Sequence, residues 1–175
     1  MLILIAMSSR ERARVRRVMS ACAHHQGQAL VEFALVVPFF FLLLFGIIEA
    51  GRFIFYYESL SHATREGARY AIVNGANTLG CPSGPAAPGT SACDTAGNNV
   101  VSRVRQAARG VPSAGISVDR CWWYTACNNG THGDGDNARG AMVTVAASYT
   151  YSTLLPLVPL PPITVTAEST LVINN

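Results

Sequence analysis

The sequence predicts an α+β protein: a long N-terminal transmembrane helix leading into a small extracytoplasmic domain with a helix and an antiparallel sheet of three or four strands. Three observations predict it. Residues 33–48, FALVVPFFFLLLFGII, form a run of sixteen residues without a charge, bounded by Glu32 and Glu49. Ahead of that run stand Arg10, Arg12, Arg14, Arg16 and Arg17 against a single acid, Glu11. Beyond residue 110 the apolar pattern changes to alternation, weak over 116–124, clearer over 142–153 and clearest over 163–173, which reads as strands.

Sixteen helical residues cover roughly 24 Å, a little less than a hydrocarbon core of ~30 Å. Adding residues 28–31 before the run and Phe53, Phe55, Tyr56 and Tyr57 after it gives a span over 28–57, with the tyrosines in the outer interfacial belt. Residues 1–27 then form a basic cytoplasmic leader under the positive-inside rule, and residues 58–175 the extracytoplasmic domain. A basic block can also be a nucleic-acid arm; beside an apolar run it reads as a membrane flank, so no nucleic-acid partner is expected. The leader opens MLILIAM before its arginines, which leaves Met7 and Met19 as alternative starts.

Two other readings of the apolar run compete with an anchor. A cleavable secretory signal needs small residues at its junction, and the only candidate, after Ala50, has bulky Ile48 two residues before it. A buried core helix would need a larger protein than 175 residues to cover an apolar rod on all sides. The expected location is the cytoplasmic membrane, single-pass, with the N-terminus inside and membrane lipid as a partner.

The polar residues at the edges of the run carry chemistry. A carboxylate costs about 2.5–3.5 kcal/mol at mid-membrane on insertion scales, so Glu32, just inside, calls for a partner. Were the chain cut after Gly27, the new amine of Gln28 would stand at i relative to Glu32 at i+4, where opposite charges meet. The amine of a neighbouring subunit is the other candidate. Glu49 and Arg52, three apart, are placed to pair. Pro38 lacks an N–H and bends the helix or loosens one turn.

In the domain, the helical pattern continues over 58–73, with Leu60, Ala63, Gly67, Tyr70 and Ala71 on or near one face. Such a small-residue face suits either close packing of neighbouring anchors or the seating of the chain's own domain. Residues 74–97, rich in Gly and Pro, read as a disulfide-tied loop. A second helix starts with Asn98 or Asn99 as N-cap and ends at Gly110. Val100, Val101, Val104, Ala107 and Ala108 form its apolar face, and Arg103, Arg105 and Arg109 its solvated one. Adjacent Trp122 and Trp123 must point to opposite faces of a strand, one into the core and the other against the neighbouring loop or a partner.

Cys22 lies on the near side of the run and Cys81, Cys93, Cys121 and Cys127 beyond it. Four far-side cysteines imply an oxidising compartment and two disulfides. Three pairings exist; closure of short loops favours Cys81 with Cys93 and Cys121 with Cys127, each stabilising by ~2–3 kcal/mol. Their spacings, C-x11-C and C-x5-C, differ from the C-x2-C and C-x4-C knuckles of zinc sites. Asp134, Asp136 and Asn137 resemble the start of a calcium loop but lack its frame and distal Glu. No metal and no cofactor are expected.

No motif organises His24, His25, His62 or His132 with a nucleophile, and the signatures of hydrolases, zinc proteases and nucleotide-binding loops are missing from the sequence. No catalytic residue is assigned, and the expectation is a non-enzymatic protein.

Gly27-Gln28-Ala29-Leu30-Val31-Glu32-Phe33 fits the prepilin-peptidase pattern G-x4-E-[FY]. It is followed by E-x-G-R at Glu49, Gly51 and Arg52 and by A-x-R-E-G-A-R around Arg65, Glu66, Gly67, Ala68 and Arg69. This stretch, Gly27 to Ala71, resembles the N-terminal region of the TadE-like family, pseudopilins of the tight-adherence (Flp) pilus system. Ala107-Ala108-Arg109-Gly110, the strand at 142–150, the LLPLVPLPP connection and the final ITVTAESTLVI extend the likeness, with a gap over 74–98.

The resemblance implies cleavage between Gly27 and Gln28 by a prepilin peptidase, with Glu32 and Phe33 at the mature N-terminus and Glu32 acting in membrane extraction or subunit register. It implies other pilins or pseudopilins and the pilus assembly machinery as partners. The function that follows is a minor pseudopilin or pilus-assembly subunit. The alternative is a membrane-tethered extracytoplasmic binding module outside any filament, which needs neither the cut nor the acid.

Overall fold

The structure, a computed structural model, describes residues 9–128, 132–153 and 161–174, with side chains from Gly27 onward other than those of Asn128 and His132. The leader's opening residues and basic side chains, Cys22, the centre of the 127–140 loop and most of the LLPLVPLPP connection lie outside the described residues.

Helix α1 spans Ser9–Val73 and runs through Pro38 without interruption. By packing, the chain divides into residues 1–48 and residues 49–175. The first unit holds α1 as far as Ile48, its basic start as well as its apolar run. The second holds the rest of α1, a short helix α2 (Asn98–Ala107), a 3₁₀ turn at Ser113–Gly115 and the strands.

Strands β1 (Ile116–Trp123), β4 (Met142–Tyr151) and β5 (Ile163–Val172) make an antiparallel sheet in the order β1-β4-β5. Two short strands, β2 (Cys127–Asn128) and β3 (His132–Gly133), pair within the β1–β4 connection. The α+β architecture with its N-terminal apolar helix is therefore as the sequence predicts. The polar loop between the first two long strands differs in carrying a hairpin of its own.

Alternation decides which sheet face is covered. Ile116, Val118 and Trp122 of β1, Val143, Val145, Ala147 and Tyr151 of β4 and Val165 of β5 are all buried. In register, Trp122 lies opposite Val143, Val118 opposite Ala147, and Tyr149 opposite Val165. Against this face pack Leu60, Ala63, Ala68 and Ala71 of α1 and Val100 and Val104 of α2. The small-residue stripe of α1 thus seats its own domain. Gly67 is the point of closest approach, since a Cβ there would collide with Val104 and touch Val145 and Val100.

The start of α2 departs from expectation. Gly97 is the N-cap, in the left-handed region at φ 69° and without a side-chain cap. Asn98 and Asn99 instead lie inside the helix, because the Asp94 carboxylate accepts both of their backbone N–H groups at 2.7 Å. An acid at this position satisfies orphan donors and complements the positive helix end. The same residue fixes the loop before it, accepting a hydrogen bond from Ser83 Oγ at 3.3 Å.

Candidate functional site

Taken by itself, the first unit presents an uncovered apolar surface. Phe33 is 68% and Phe39 74% exposed, and Leu30, Leu35, Val36 and Ile47 are similarly open. Among the described residues one helix is long and apolar enough to cross a membrane, Gly27–Val73, whose most apolar stretch has a mean hydropathy of 2.6 and is nowhere buried within the chain. An all-round apolar helix of this kind calls for lipid or partner helices around it.

At its start, the Gln28 side chain donates to Glu32 Oε1 at 3.4 Å across one helical turn. Gly27, beside them, faces open space. Glu32 is thus within reach of Gln28, and Phe33 next to it stands exposed for contact outside the chain.

In the second unit the E-x-G-R residues form a clasp with β4. Tyr151 Oη donates to Glu49 Oε1 at 2.6 Å, while Arg52 Nη1 lies 3.4 Å from Glu49 Oε2. The Arg52 guanidinium also reaches Tyr56 Oη at 3.4 Å and stands over the Tyr56 and Tyr151 rings at 5.7 and 5.4 Å. Phe53 meets Tyr151 edge-on, and Tyr56 meets both Tyr149 and Tyr151. The Glu49–Arg52 pair is therefore part of a larger cluster that ties α1 to the sheet, and Gly51, open to space, takes no part in it.

Burial, then the Glu49 hydrogen bond, pushes the Tyr151 phenol up to about 12. Hydrogen bonds to charged groups contribute about 1.5–3 kcal/mol, so Tyr151→Phe is expected to lower the unfolding free energy by about that amount. Denaturant titration of the full chain in detergent measures it; a loss below about 0.5 kcal/mol would remove the clasp from the list of stabilising contacts.

The second motif is likewise used inside the fold. Glu66 accepts from Arg103 of α2 at 2.6 and 3.1 Å, joining the two helices beside Gly67. Arg65 reaches back to Ser61 Oγ at 3.1 Å, and Arg69 is exposed. Arg105 of α2 reaches the Ile116 carbonyl at 3.4 Å. Of the three α2-region arginines expected on a solvated face, two therefore have specific partners.

Cys81 pairs with Cys93 and Cys121 with Cys127. The first bridge sits beside Asp94; the second closes the base of the β2–β3 hairpin region. Trp122 is buried against Gly84 and Gly97, both at positive φ, while its neighbour Trp123 turns outward and donates to Thr144 Oγ1 at 2.9 Å. Asn137, fully buried, joins the two long loops: its Oδ1 accepts from Ala87 N at 3.1 Å and its carbonyl from Ala76 N at 2.8 Å.

Asp134 and Asp136 use their carboxylates on donors of their own loop region. Asp134 accepts from the Tyr124 and Thr125 backbone and from Thr125 Oγ1, and Asp136 from Tyr124 Oη at 2.8 Å and Ala138 N at 2.8 Å. The Tyr124 phenol is raised by its bond to Asp136. The Thr125 hydroxyl and then the two backbone donors hold Asp134 down to about 2 from an ordinary 3.8.

A carboxylate depressed on folding favours the folded loop above its ordinary value, and that contribution disappears as pH falls through the folded one. The Tyr124 and Thr125 amide resonances are therefore expected to hold to pH 3 and to titrate near pH 2. A midpoint near 4 would show the Asp134 bonds to be absent in solution.

Residues 27–69 match the family model described as TadE-like protein. The TadE-like match begins at Gly27 of the peptidase pattern and ends at Arg69, so it includes both motifs on which the resemblance rests. It stops before the disulfide loop, α2 and the sheet; the downstream likeness from Ala107 onward falls outside it. No curated protein and no solved structure matches the chain.

Sequence reasoning missed Asp94, Tyr151 and Tyr149. Asp94 stands four residues ahead of α2 and could have been found by asking what satisfies the first-turn N–H groups. The tyrosines carried no sequence signal, because their partners are about a hundred residues away.

Proposed function

We propose that this chain is a minor pseudopilin or pilus-assembly subunit of a tight-adherence type system, cut by a prepilin peptidase between Gly27 and Gln28. The observation that carries the reading is the apolar helix at the TadE-like match, uncovered on every side, with Glu32 one turn from Gln28. Anchor helices of neighbouring subunits would pack along this surface, and Glu32 would be neutralised by an N-terminal amine, its own or a neighbour's. The chain sits in the cytoplasmic membrane as a single pass, leader inside and domain outside, where the two disulfides are stable. Its partners are the peptidase, other pilins or pseudopilins, the assembly machinery and membrane lipid.

Intact mass and N-terminal sequencing of the chain, expressed with and without a matched prepilin peptidase, test the reading. The expected result is a peptidase-dependent N-terminus at Gln28, abolished by Gly27→Leu. Glu32→Ala is expected to be cut yet to lose co-purification with partner pilins. An unprocessed chain, or one cut after Ala50, would sink the proposal and leave a membrane-tethered binding module or a secreted domain.

A further inference from the structure

Within residues 49–175 the helices cover one face of the β1-β4-β5 sheet and leave the other open. Along the three strands that open face is built mostly of Ser, Thr and Ala side chains, and its charges are Asp119 of β1 and Glu168 of β5. Both stand opposite Ala146 of β4 in register. The two carboxylates are therefore borne on strands roughly 10 Å apart, with only a methyl group between them. Both residues are exposed, and neither joins an ion pair among the described residues. Ser117 and Thr166, the next outward residues on the same two strands, are exposed as well. The face is thus flat, polar and acidic.

The outer side of the helical layer has the opposite charge. The side of α1 seated on the sheet carries Leu60, Ala63, Gly67, Ala68 and Ala71. Arg65 and Arg69, at i and i+4, fall on the far side of the helix, one turn or roughly 6 Å apart. Both are exposed and neither joins an ion pair among the described residues. Arg105 of α2 and Arg109 just after it are exposed too. The acids of this layer are Glu58 and Glu66, and Glu66 is already held by Arg103.

Two sheet faces brought together would set acid on acid, and two helical faces would set arginine on arginine; both arrangements are penalised. Helical face on sheet face is the one pairing of these surfaces that joins opposite charges. Such a contact is heterologous, so each copy keeps a free face of either kind and the pairing repeats from copy to copy.

We propose that a second copy of this chain docks the Arg65 and Arg69 side of its helical layer on the open sheet face of the first, against Asp119 and Glu168. The contact lies within residues 49–175 and holds whether or not the chain is cut after Gly27, so it fails or stands apart from the pseudopilin reading.

The test photo-cross-links the full chain in phospholipid vesicles, with p-benzoylphenylalanine in place of Thr166. Heavy-isotope and unlabelled chains are mixed, so that adducts between copies are told from those within one. The expected adducts join residue 166 of one copy to residues 62–69 or 102–109 of another, and they weaken in about 1 M salt, where the screening length falls to about 3 Å. Asp119→Arg with Glu168→Arg makes both faces basic, and Arg65→Glu with Arg69→Glu makes both acidic around these sites. Each double variant is expected to cut the adduct about fivefold. A mixture of the two, and the chain carrying all four substitutions, are expected to regain most of it. Adducts joining residue 166 to the sheet face of another copy, or none between copies, would overturn the inference. So would a loss that neither the mixture nor the fourfold variant restores.

Discussion

Trp122→Ala is expected to lower the stability of the Glu49–Asn175 unit by about 3–5 kcal/mol, the range for deleting a large buried aromatic. Trp122 is 4% exposed, and its ring lies so close over Gly84 and Gly97 that a Cβ at either would collide with it. Those glycines belong to the loop that carries Asp94 and the Cys81–Cys93 bridge, so the indole holds the loop, the α2 N-terminus and the sheet together. Its Nε1 makes no hydrogen bond among the described residues. Trp122→Phe, which removes that buried donor while keeping an aromatic ring, is therefore expected to cost much less than alanine. Denaturant unfolding of the full chain in detergent, followed by Trp123 fluorescence, measures both. An alanine variant within about 1 kcal/mol of the parent would show that the loop packs without the ring.

Gly67→Val is the second large effect. A Cβ at residue 67 enters the space of Val104 Cγ2, and Val145 and Val100 close the other sides. Overpacking costs typically about 1–3 kcal/mol, sometimes more, and a branched side chain here places its methyls deeper still; about 3 kcal/mol is expected. In an isolated helix the same change would stabilise, because glycine is the poorer helix former by a few tenths of a kcal/mol or more. The sign thus separates tertiary packing from propensity. Val104→Ala makes room, so Gly67→Val on that background is expected to cost at least 1 kcal/mol less, a coupling readable from a double-mutant cycle. Purely additive losses would mean that α1 and α2 do not approach closely at this point.

Both predictions bear on what the family motifs do in this chain. The pattern by itself assigns no role to Arg65, Glu66, Gly67 or Arg69. In the structure Gly67 is required by helix packing, Glu66 by its bond to Arg103, and Glu49 and Arg52 by the clasp with Tyr151. Destabilising the domain and blocking the proposed cleavage after Gly27 are thus separable experimentally. The first is read by unfolding, the second by the mass of the N-terminus.

Much of the architecture follows from local pattern. The uncharged run, the return of helical spacing after Glu58, the valine face of α2 and the alternation of β4 and β5 are near-neighbour regularities, set by the 3.6- and 2-residue periods of helix and strand. The pairing of the short-range cysteine loops was legible for the same reason. What the tertiary structure alone decided is long-range. The choice of partner for the small-residue stripe, the use of Asp94 in place of an asparagine cap, the burial of Trp122 over Trp123 and the Glu49–Tyr151 bond all depend on which distant segment arrives. That is settled by the sheet order β1-β4-β5 and its register, because moving a strand by one residue would exchange every inward side chain for an outward one.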